Sequence, residues 1–156
     1  MGFDGHKRVK GTKVHVAVAE GSMPVAVLIG SAREHEGRKL IPLMESICIR
    51  HGRGRPRKRP KTAYADTKYN MPLNRMYLDR KGIRQQIPES PQKRARPGRP
   101  RGFDRPMYHG VRYNVERFFG WMENYRKITI RYERIPNLFL SLIQLACIMI
   151  LWRVLK

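Results

Sequence analysis

The beginning of the chain shows a strand-like pattern of apolar positions. Residues 13–19 (KVHVAVA) alternate in polarity and are rich in β-branched side chains, and residues 24–29 (PVAVLI) form a continuous apolar run. Glu20, Gly21 and Ser22 separate the two runs and are residues typical of turns. The pattern predicts two antiparallel strands that are connected by a short turn.

A helical period replaces this alternation from residue 31 onwards. Ser31 and Glu34 have the spacing of a capping box, and Gly52 ends the apolar pattern. We therefore expect a helix of about five turns over residues 31–52. The apolar positions that support this expectation are Ala32, Leu40, Ile41, Leu43, Met44 and Ile47.

Three short elements are predicted in the middle of the chain. Residues 62–65 form a brief apolar strand, which is followed directly by Asp66. Residues 72–80 have the pattern of a short helix that Gly82 closes, and residues 83–87 form another strand. The second strand ends before Pro88, which fits a strand boundary.

Two long helices are predicted in the last third of the chain. Apolar residues recur with the helical period over residues 108–128, so Glu116 lies on this helix. Pro136 is well placed to open an apolar helix over residues 136–156. The whole order of elements predicts a single α/β domain over residues 1–156.

The charge of the chain points to a polyanionic partner. The sequence has 33 Lys and Arg against 12 Asp and Glu, for a formal net charge of +21. Six of these cations lie in the loop 52–61, and a second basic, proline-rich loop covers residues 89–106. This charge favours nucleic acid as the partner, although membrane surfaces and ribosomal RNA would attract it as well.

The cysteines indicate a reducing compartment. Cys48 and Cys147 both lie in apolar runs, which argues against a disulfide framework and against a zinc cluster. The residues after Met1 lack the apolar segment of a signal peptide. We therefore expect a cytoplasmic protein that is associated with the nucleoid.

The first basic loop has the residues of a DNA-binding segment. Residues 53–56 (RGRP) match the core of the AT-hook, whose arginines enter a narrow minor groove. A plain loop that contacts phosphates fits the same residues. GRPR occurs once in each basic loop, at residues 54–57 and 98–101. The candidate DNA contacts in the two loops are Arg53, Arg55, Arg57, Lys58, Arg59, Arg99 and Arg101.

Two carboxylates are candidates for a metal site. Asp66 follows a strand end, where open α/β sheets bind ligands, and a carboxylate is a hard oxygen donor suited to Mg²⁺. Alternatively, Asp66 caps the turn that follows it. Glu116 stands among apolar neighbours on its helix, so burying it requires a cation or an ion pair. Arg112, one turn earlier, could supply that ion pair.

Phosphodiester chemistry with two metal ions requires several carboxylates that converge from different elements. Asp66 and Glu116 meet this requirement in part. Asp4, Asp79 and Asp104 are the remaining aspartates of the chain, and none of them follows a predicted strand. The sequence thus predicts two of the acids that such a site needs.

Three further motifs resemble one protein family in residue type and order. YADTKYN (64–70), RKGIRQQIP (80–88) and RYNVERFFGWMENYRKI (112–128) are similar to the catalytic half of DDE transposases of the insertion sequence four and five groups. The similarity also includes DGHKRVKGTKVHVAV (4–18) and the first basic loop. It implies an RNase H-like mixed sheet with flanking helices, Mg²⁺ or Mn²⁺ bound by two Asp and one Glu, and cleavage and joining of transposon ends.

The resemblance assigns roles to individual residues. Asp66 looks like the second catalytic Asp and Glu116 like the catalytic Glu, both of them metal ligands. In the family signature around this Glu, Arg112 matches, whereas His109 replaces a Tyr and Glu123 replaces a Lys. The resemblance therefore implies that His109, Arg112 and Arg117 contact DNA. The replacements at positions 109 and 123 place the binding of transposon ends in question.

The first catalytic Asp of the family has no counterpart here. In the family it lies on a strand upstream of the segment that residues 4–11 resemble, and Asp4 does not occupy that position. The resemblance implies a partial catalytic domain that lacks its first, central strand, with unpaired strand edges. We expect such a chain to be inactive alone and to require a homo-oligomer or an intact transposase copy, together with transposon-end and target DNA.

Two other classes of protein fit parts of the sequence. A noncatalytic basic protein of the ribosomal or chromatin type explains the charge but not Asp66 and Glu116. A membrane-anchored protein would use the apolar run 138–152, which at 15 residues is shorter than the roughly 20 that span a bilayer. We expect no membrane contact.

Overall fold

A computed structural model describes residues 2–4, 9–50, 52–89 and 102–155 of the chain. The strands of this part are β1 (Gly2–Asp4), β2 (Val9–Val18), β3 (Pro24–Ser31), β4 (Thr62–Tyr64) and β5 (Arg84–Gln86). The helices are α1 (Leu40–Glu45), α2 (Pro72–Arg80), α3 (Arg105–Glu123), α4 (Arg126–Thr129) and α5 (Pro136–Val154). Short 3₁₀ turns form at Glu20–Ser22, Glu36–Lys39 and Thr67–Tyr69.

The predicted antiparallel pair is confirmed as β2 and β3. Their register pairs Thr12 with Ser31 and Ala17 with Ala26. The turn between them contains two residues with positive φ, Gly21 at 71° and the buried Ser22 at 63°. A positive φ is unusual for Ser, so the surrounding packing must hold this turn in place.

The strands β4 and β5 form a parallel pair, with Thr62 opposite Arg84 and Tyr64 opposite Gln86. The helix α2 connects them, as a parallel crossover requires. The bounds of α2 match those of the predicted helix 72–80. Gly82, with a φ of 64°, follows the helix as predicted.

In the described residues these strands form two sheets, β1-β2-β3 and β4-β5. The α/β class is therefore confirmed. The single RNase H-like mixed sheet stays a prediction.

The long helix predicted over residues 31–52 is wrong. Ser31 is the last residue of β3, residues 36–39 form a 3₁₀ turn, and only Leu40–Glu45 are α-helical. Packing overrides the local pattern here, since Gly37 is buried so tightly that an added Cβ would lie 2.4 Å from the sulfur of Met71. At the far end, Ile49 forms an isolated bridge with Arg57, which draws the chain out of the helix.

Two apolar clusters cover opposite sides of the β2-β3 pair. On one side the helices α3 and α5 pack against Val14, Val16 and Val18. On the other side α1, α2 and the β4-β5 pair meet Ala17 and Ala26. The buried members of the first cluster are Phe118, Met122, Phe139, Ile143, Ala146, Cys147 and Ile150, and those of the second are Leu40, Met44, Ile47, Leu78, Ile83 and Ile87.

The predicted last helix is confirmed as α5, which packs only one side against the core. Phe139, Ile143 and Ile150 are buried, whereas Leu145 and Trp152 are more than half exposed. In length and apolar composition α5 would be able to cross a membrane. Its buried side belongs to the same core as β2, β3 and α3.

Candidate metal and nucleic-acid site

Asp66 lies at the carboxyl end of β4, as the sequence predicts. Its Oδ1 accepts a hydrogen bond of 2.6 Å from the backbone N–H of Thr67 and so caps the turn Thr67–Tyr69. The residue is exposed, and in the described part of the chain no hydrogen bond to its Oδ2 occurs. Capping and ligand binding are therefore compatible, since each uses a different oxygen.

Glu116 lies on α3 and is more exposed than the sequence suggests. Its side chain is 61% exposed, so the burial cost inferred from its apolar neighbours does not arise. Its Oε1 accepts a hydrogen bond of 2.9 Å from Nε of Arg112, one turn earlier. The ion pair weighed as the alternative to a metal ligand is thus present in this structure.

Arg112 connects the two candidate acids electrostatically. The hydrogen bond to Glu116 raises the pKa of Arg112, and the negative charge of Asp66 acts in the same direction. The helix α3 packs against β4, so the two acids, 50 positions apart in sequence, lie on neighbouring elements. Of the two acids, Glu116 is the one in direct contact with Arg112.

A third acid does not join them within the described residues, where no group of three His, Cys, Asp or Glu could hold a metal ion. Asp104 caps α3, because its Oδ1 accepts a hydrogen bond of 3.0 Å from the N–H of Met107. Asp79 lies on α2 and accepts a hydrogen bond from the side chain of Gln85. Neither aspartate extends the site of Asp66 and Glu116.

The first basic loop is closed at its base and exposed at its tip. The Ile49–Arg57 bridge closes it, and Nη1 of Arg59 donates a hydrogen bond of 2.7 Å to the carbonyl oxygen of Lys81. This loop presents its cations to solvent, as a phosphate-contacting loop requires. The exposed candidates are Arg53, Arg55, Arg57, Lys58 and Arg59, whereas Arg99 and Arg101 lie outside the described residues.

The candidate DNA contacts on α3 differ in their surroundings. His109 and Arg112 are exposed on the same side of the helix as Glu116. Arg117 instead donates a hydrogen bond of 2.7 Å from Nε to Oγ of Ser22, and its guanidinium lies 5.2 Å from the centre of the Trp121 ring. Arg117 thus fastens α3 to the β2-β3 turn, and its contact with DNA stays a prediction.

A buried polar pair beside Asp66 was not predicted from the sequence. His15 is only 3% exposed, and its Nδ1 lies 3.2 Å from the hydroxyl of Tyr69, the last residue of the turn that Asp66 caps. The other ring nitrogen, Nε2, is buried without a hydrogen-bond partner within the described residues. The alternation of side chains along β2 could have indicated that His15 is buried. His15 points away from Val14 and Val16, towards the second apolar cluster.

Charged residues surround this pair. Glu36 forms ion pairs with Lys13 at 3.4 Å and with Lys68 at 3.1 Å, and Glu34 pairs with Lys39 at 3.0 Å. Desolvation by burial lowers the pKa of His15 from its ordinary value of 6.5. Burial, assisted by the charges of Glu36 and Asp66, raises the pKa of Tyr69 to about 12. Both groups are therefore neutral at neutral pH.

The lowered pKa of His15 predicts a pH-dependent stability. The unfolded chain binds this proton more readily than the folded chain, so the free energy of unfolding should fall as the pH drops below 6.5. The loss should level off once the pH is below the folded-state pKa. Urea unfolding between neutral and mildly acidic pH measures this loss, and His15→Gln should reduce it. His109→Gln, at an exposed position, is the control; an unchanged pH dependence in His15→Gln would refute the assignment.

Comparison with known proteins shows the family of this chain. The chain matches the model of the transposase DDE domain family over residues 2–151. The chain therefore belongs to the DDE transposase family. This confirms the resemblance drawn from the motifs around Asp66 and Glu116.

A curated relative of the chain is an insertion-sequence protein. It is 30% identical over 147 residues to a protein of Burkholderia cepacia assigned as a transposase for insertion sequence element IS402. The alignment covers 94% of this chain and 65% of that relative, so the chain spans about two thirds of the relative's length. No solved structure matches the chain.

Proposed function

We propose that the chain is the C-terminal part of an insertion-sequence transposase catalytic domain, which binds DNA and contributes two of three metal-binding carboxylates. Asp66 and Glu116 are the proposed ligands of Mg²⁺ or Mn²⁺. The single observation that carries this proposal is that Asp66, at the end of β4, and Glu116, on α3, lie on two elements that pack against each other. DNA strand cleavage and transfer belong to the complete domain, which acts at the nucleoid.

The two carboxylates are of the ligand type that suits a hard divalent cation, but two are fewer than the site requires. Asp66 and Glu116 are both exposed carboxylates, the ligand type that Mg²⁺ and Mn²⁺ prefer. A metal ion bound there would polarise the scissile phosphate and activate the attacking oxygen. Arg112, released from Glu116, would then be available to a phosphate of the DNA strand. A further carboxylate is still required, and we propose that another segment supplies it.

Two strands with an unpaired edge support the proposal that another segment contributes a strand. Within the described residues, the Thr12–Val18 part of β2 pairs with β3 alone, and β4 pairs with β5 alone. The helix α3 packs against both β2 and β4. A strand from another segment, or from an intact transposase copy, would satisfy these edges, join the two sheets and bring the further acid.

Paramagnetic broadening by Mn²⁺ tests the metal site without requiring catalysis. Addition of Mn²⁺ to the chain should broaden the amide signals of residues near Asp66 and Glu116 first. Asp66→Asn and Glu116→Gln should each weaken this binding, because each removes a charged oxygen ligand. Broadening that is unchanged in both variants would exclude this site.

A noncatalytic nucleic-acid-binding protein is the second candidate. It is favoured by the roles that both acids already have in this structure, Asp66 as a turn cap and Glu116 as the partner of Arg112. Such a protein would bind DNA with the same salt dependence but without any effect of Mn²⁺ at Asp66. The two candidates therefore differ in the Mn²⁺ experiment.

A further inference from the structure

We infer that Tyr69, held by the buried ring of His15, is a positioning residue that fixes the direction of the Asp66 carboxylate. The inference rests on the proposed function, since it concerns the metal ligand proposed there. Neither His15 nor Tyr69 is proposed to touch the metal ion or the DNA. Their effect on the site acts through the turn Thr67–Tyr69.

The turn that carries Asp66 is too short to be rigid by itself. It has three residues, and its local contacts are the Asp66 cap on Thr67 and two hydrogen bonds of 2.9 Å, from the N–H of Tyr69 to the carbonyl oxygen of Asp66 and from the N–H of Asn70 to that of Thr67. A single 3₁₀ turn has weak hydrogen-bond geometry and persists only when other parts of the fold hold it. The direction of the Asp66 side chain therefore depends on tertiary contacts.

Three contacts fasten this turn to the rest of the protein. The side chain of Asn74 donates hydrogen bonds to the carbonyl oxygens of Tyr69 and Gly37, at 2.9 and 2.8 Å. Lys68 pairs with Glu36 at the surface, where an ion pair holds a side chain only weakly. The Tyr69 hydroxyl lies 3.2 Å from Nδ1 of His15 on β2, and this contact joins the end of the turn directly to the longer sheet.

The protonation states suit a fixed contact. Burial keeps the His15 ring neutral and the Tyr69 hydroxyl protonated, so the hydroxyl can donate to Nδ1 of His15. The hydrogen then lies on Nε2, which is buried without a partner within the described residues. The surrounding charges are Lys13 on β2, and Glu34, Glu36 and Lys39 on the segment that follows β3.

This arrangement is unfavourable as a purely structural solution. A buried polar atom without a partner destabilises the folded state, whereas two apolar side chains of similar shape at these positions would leave no atom unpaired. Proteins depart from such packing rules mainly at functional sites. Placement of the adjacent Asp66 gives the polar pair a function that an apolar pair would not fulfil.

The double variant His15→Leu/Tyr69→Phe separates positioning from stability. It removes both polar partners and the unpaired Nε2, so the thermal midpoint should stay equal to that of the unaltered chain or rise. Its dissociation constant for Mn²⁺ should nevertheless increase about tenfold, the low end of what loss of supporting contacts costs a metal site. Tyr69→Phe alone should give a similar increase and serves as the second variant if the double variant does not fold.

Tyr77→Phe is the matched control. Tyr77 lies on α2 near the same core, and its hydroxyl donates a hydrogen bond of 2.7 Å to Glu45 rather than to a residue of the Asp66 turn. This variant loses one tyrosine hydroxyl as Tyr69→Phe does, but its Mn²⁺ affinity should be unchanged. An equal loss of affinity in Tyr77→Phe would show a general effect and overturn the inference.

The outcomes distinguish this inference from the proposed function. If Asp66→Asn weakens Mn²⁺ binding but the His15→Leu/Tyr69→Phe and Tyr69→Phe variants bind as the unaltered chain does, the positioning role is wrong and the metal site stands. If Asp66→Asn leaves Mn²⁺ binding unchanged, the proposed function fails, and the positioning role fails with it.

Discussion

The affinity of the chain for double-stranded DNA is expected to fall about a thousandfold as the salt concentration rises from about 50 to about 200 mM. The six cations of the loop 52–61 are the reason, because each neutralised phosphate adds about 0.9 to the slope of log affinity against log salt. Six contacts give a slope of about 5, and further contacts from the second basic loop would increase it. Fluorescence anisotropy with a labelled duplex at several salt concentrations measures this slope.

A triple variant locates the effect in the loop. Arg53, Arg55 and Arg57 are all exposed, and their replacement by Ala should lower the slope by about 3 while changing stability little. The control variant replaces Arg33, Arg38 and Arg153, which are also exposed, and changes the net charge equally. A flat salt response, or equal losses in both variants, would remove the loop from the DNA contact.

In a complemented transposase, Asp66→Asn and Glu116→Gln should each reduce cleavage of transposon-end DNA by about a thousandfold or more. The complement is the polypeptide segment that we propose to supply the further strand and its acid. A metal ion that polarises the phosphate contributes several kcal/mol to the transition state, and about 4 kcal/mol corresponds to a thousandfold change in rate. Single-turnover cleavage with Mg²⁺ or Mn²⁺ gives the rate directly.

Controls show whether such a loss reflects chemistry. Glu20→Gln removes an exposed acid at the β2-β3 turn and should leave the cleavage rate unchanged. DNA affinity should be retained in Asp66→Asn and Glu116→Gln, because neither change removes a cation. Residual cleavage close to the unaltered rate in both variants would contradict their assignment as metal ligands.

Local signals predicted the elements whose structure depends on local chemistry. The β2-β3 hairpin follows from alternation and turn residues, α2 from Pro72 and Gly82, and α5 from Pro136 and its apolar run. Each of these segments has a residue that starts or stops the element locally. The tertiary contacts favour the same structure, so the local signal was sufficient. The place of Asp66 was predictable because it follows β4, whose parallel pairing with β5 resembles that of open α/β sheets.

Long-range contacts account for what the sequence did not reveal. The segment 31–52 has a helical period, but the pairing of Ser31 with Thr12 and the burial of Gly37 against Met71 leave room for one short helix. Glu116 was expected to face apolar neighbours, yet α3 turns this side to solvent, where Arg112 pairs with it. The His15–Tyr69 contact joins residues 54 positions apart, so periodicity could indicate a buried His15 but not its partner.

Cleavage of transposon-end DNA by the chain alone and with its complement distinguishes a partial metal site from a complete one. In the proposed function, Asp66 and Glu116 are two of three acids and a strand supplied elsewhere completes the site between β2 and β4. We expect no cleavage product from the chain alone with Mg²⁺ or Mn²⁺, and cleavage after the complementing segment is added. Robust cleavage by the chain alone that disappears in Asp66→Asn would contradict the need for a further strand and acid.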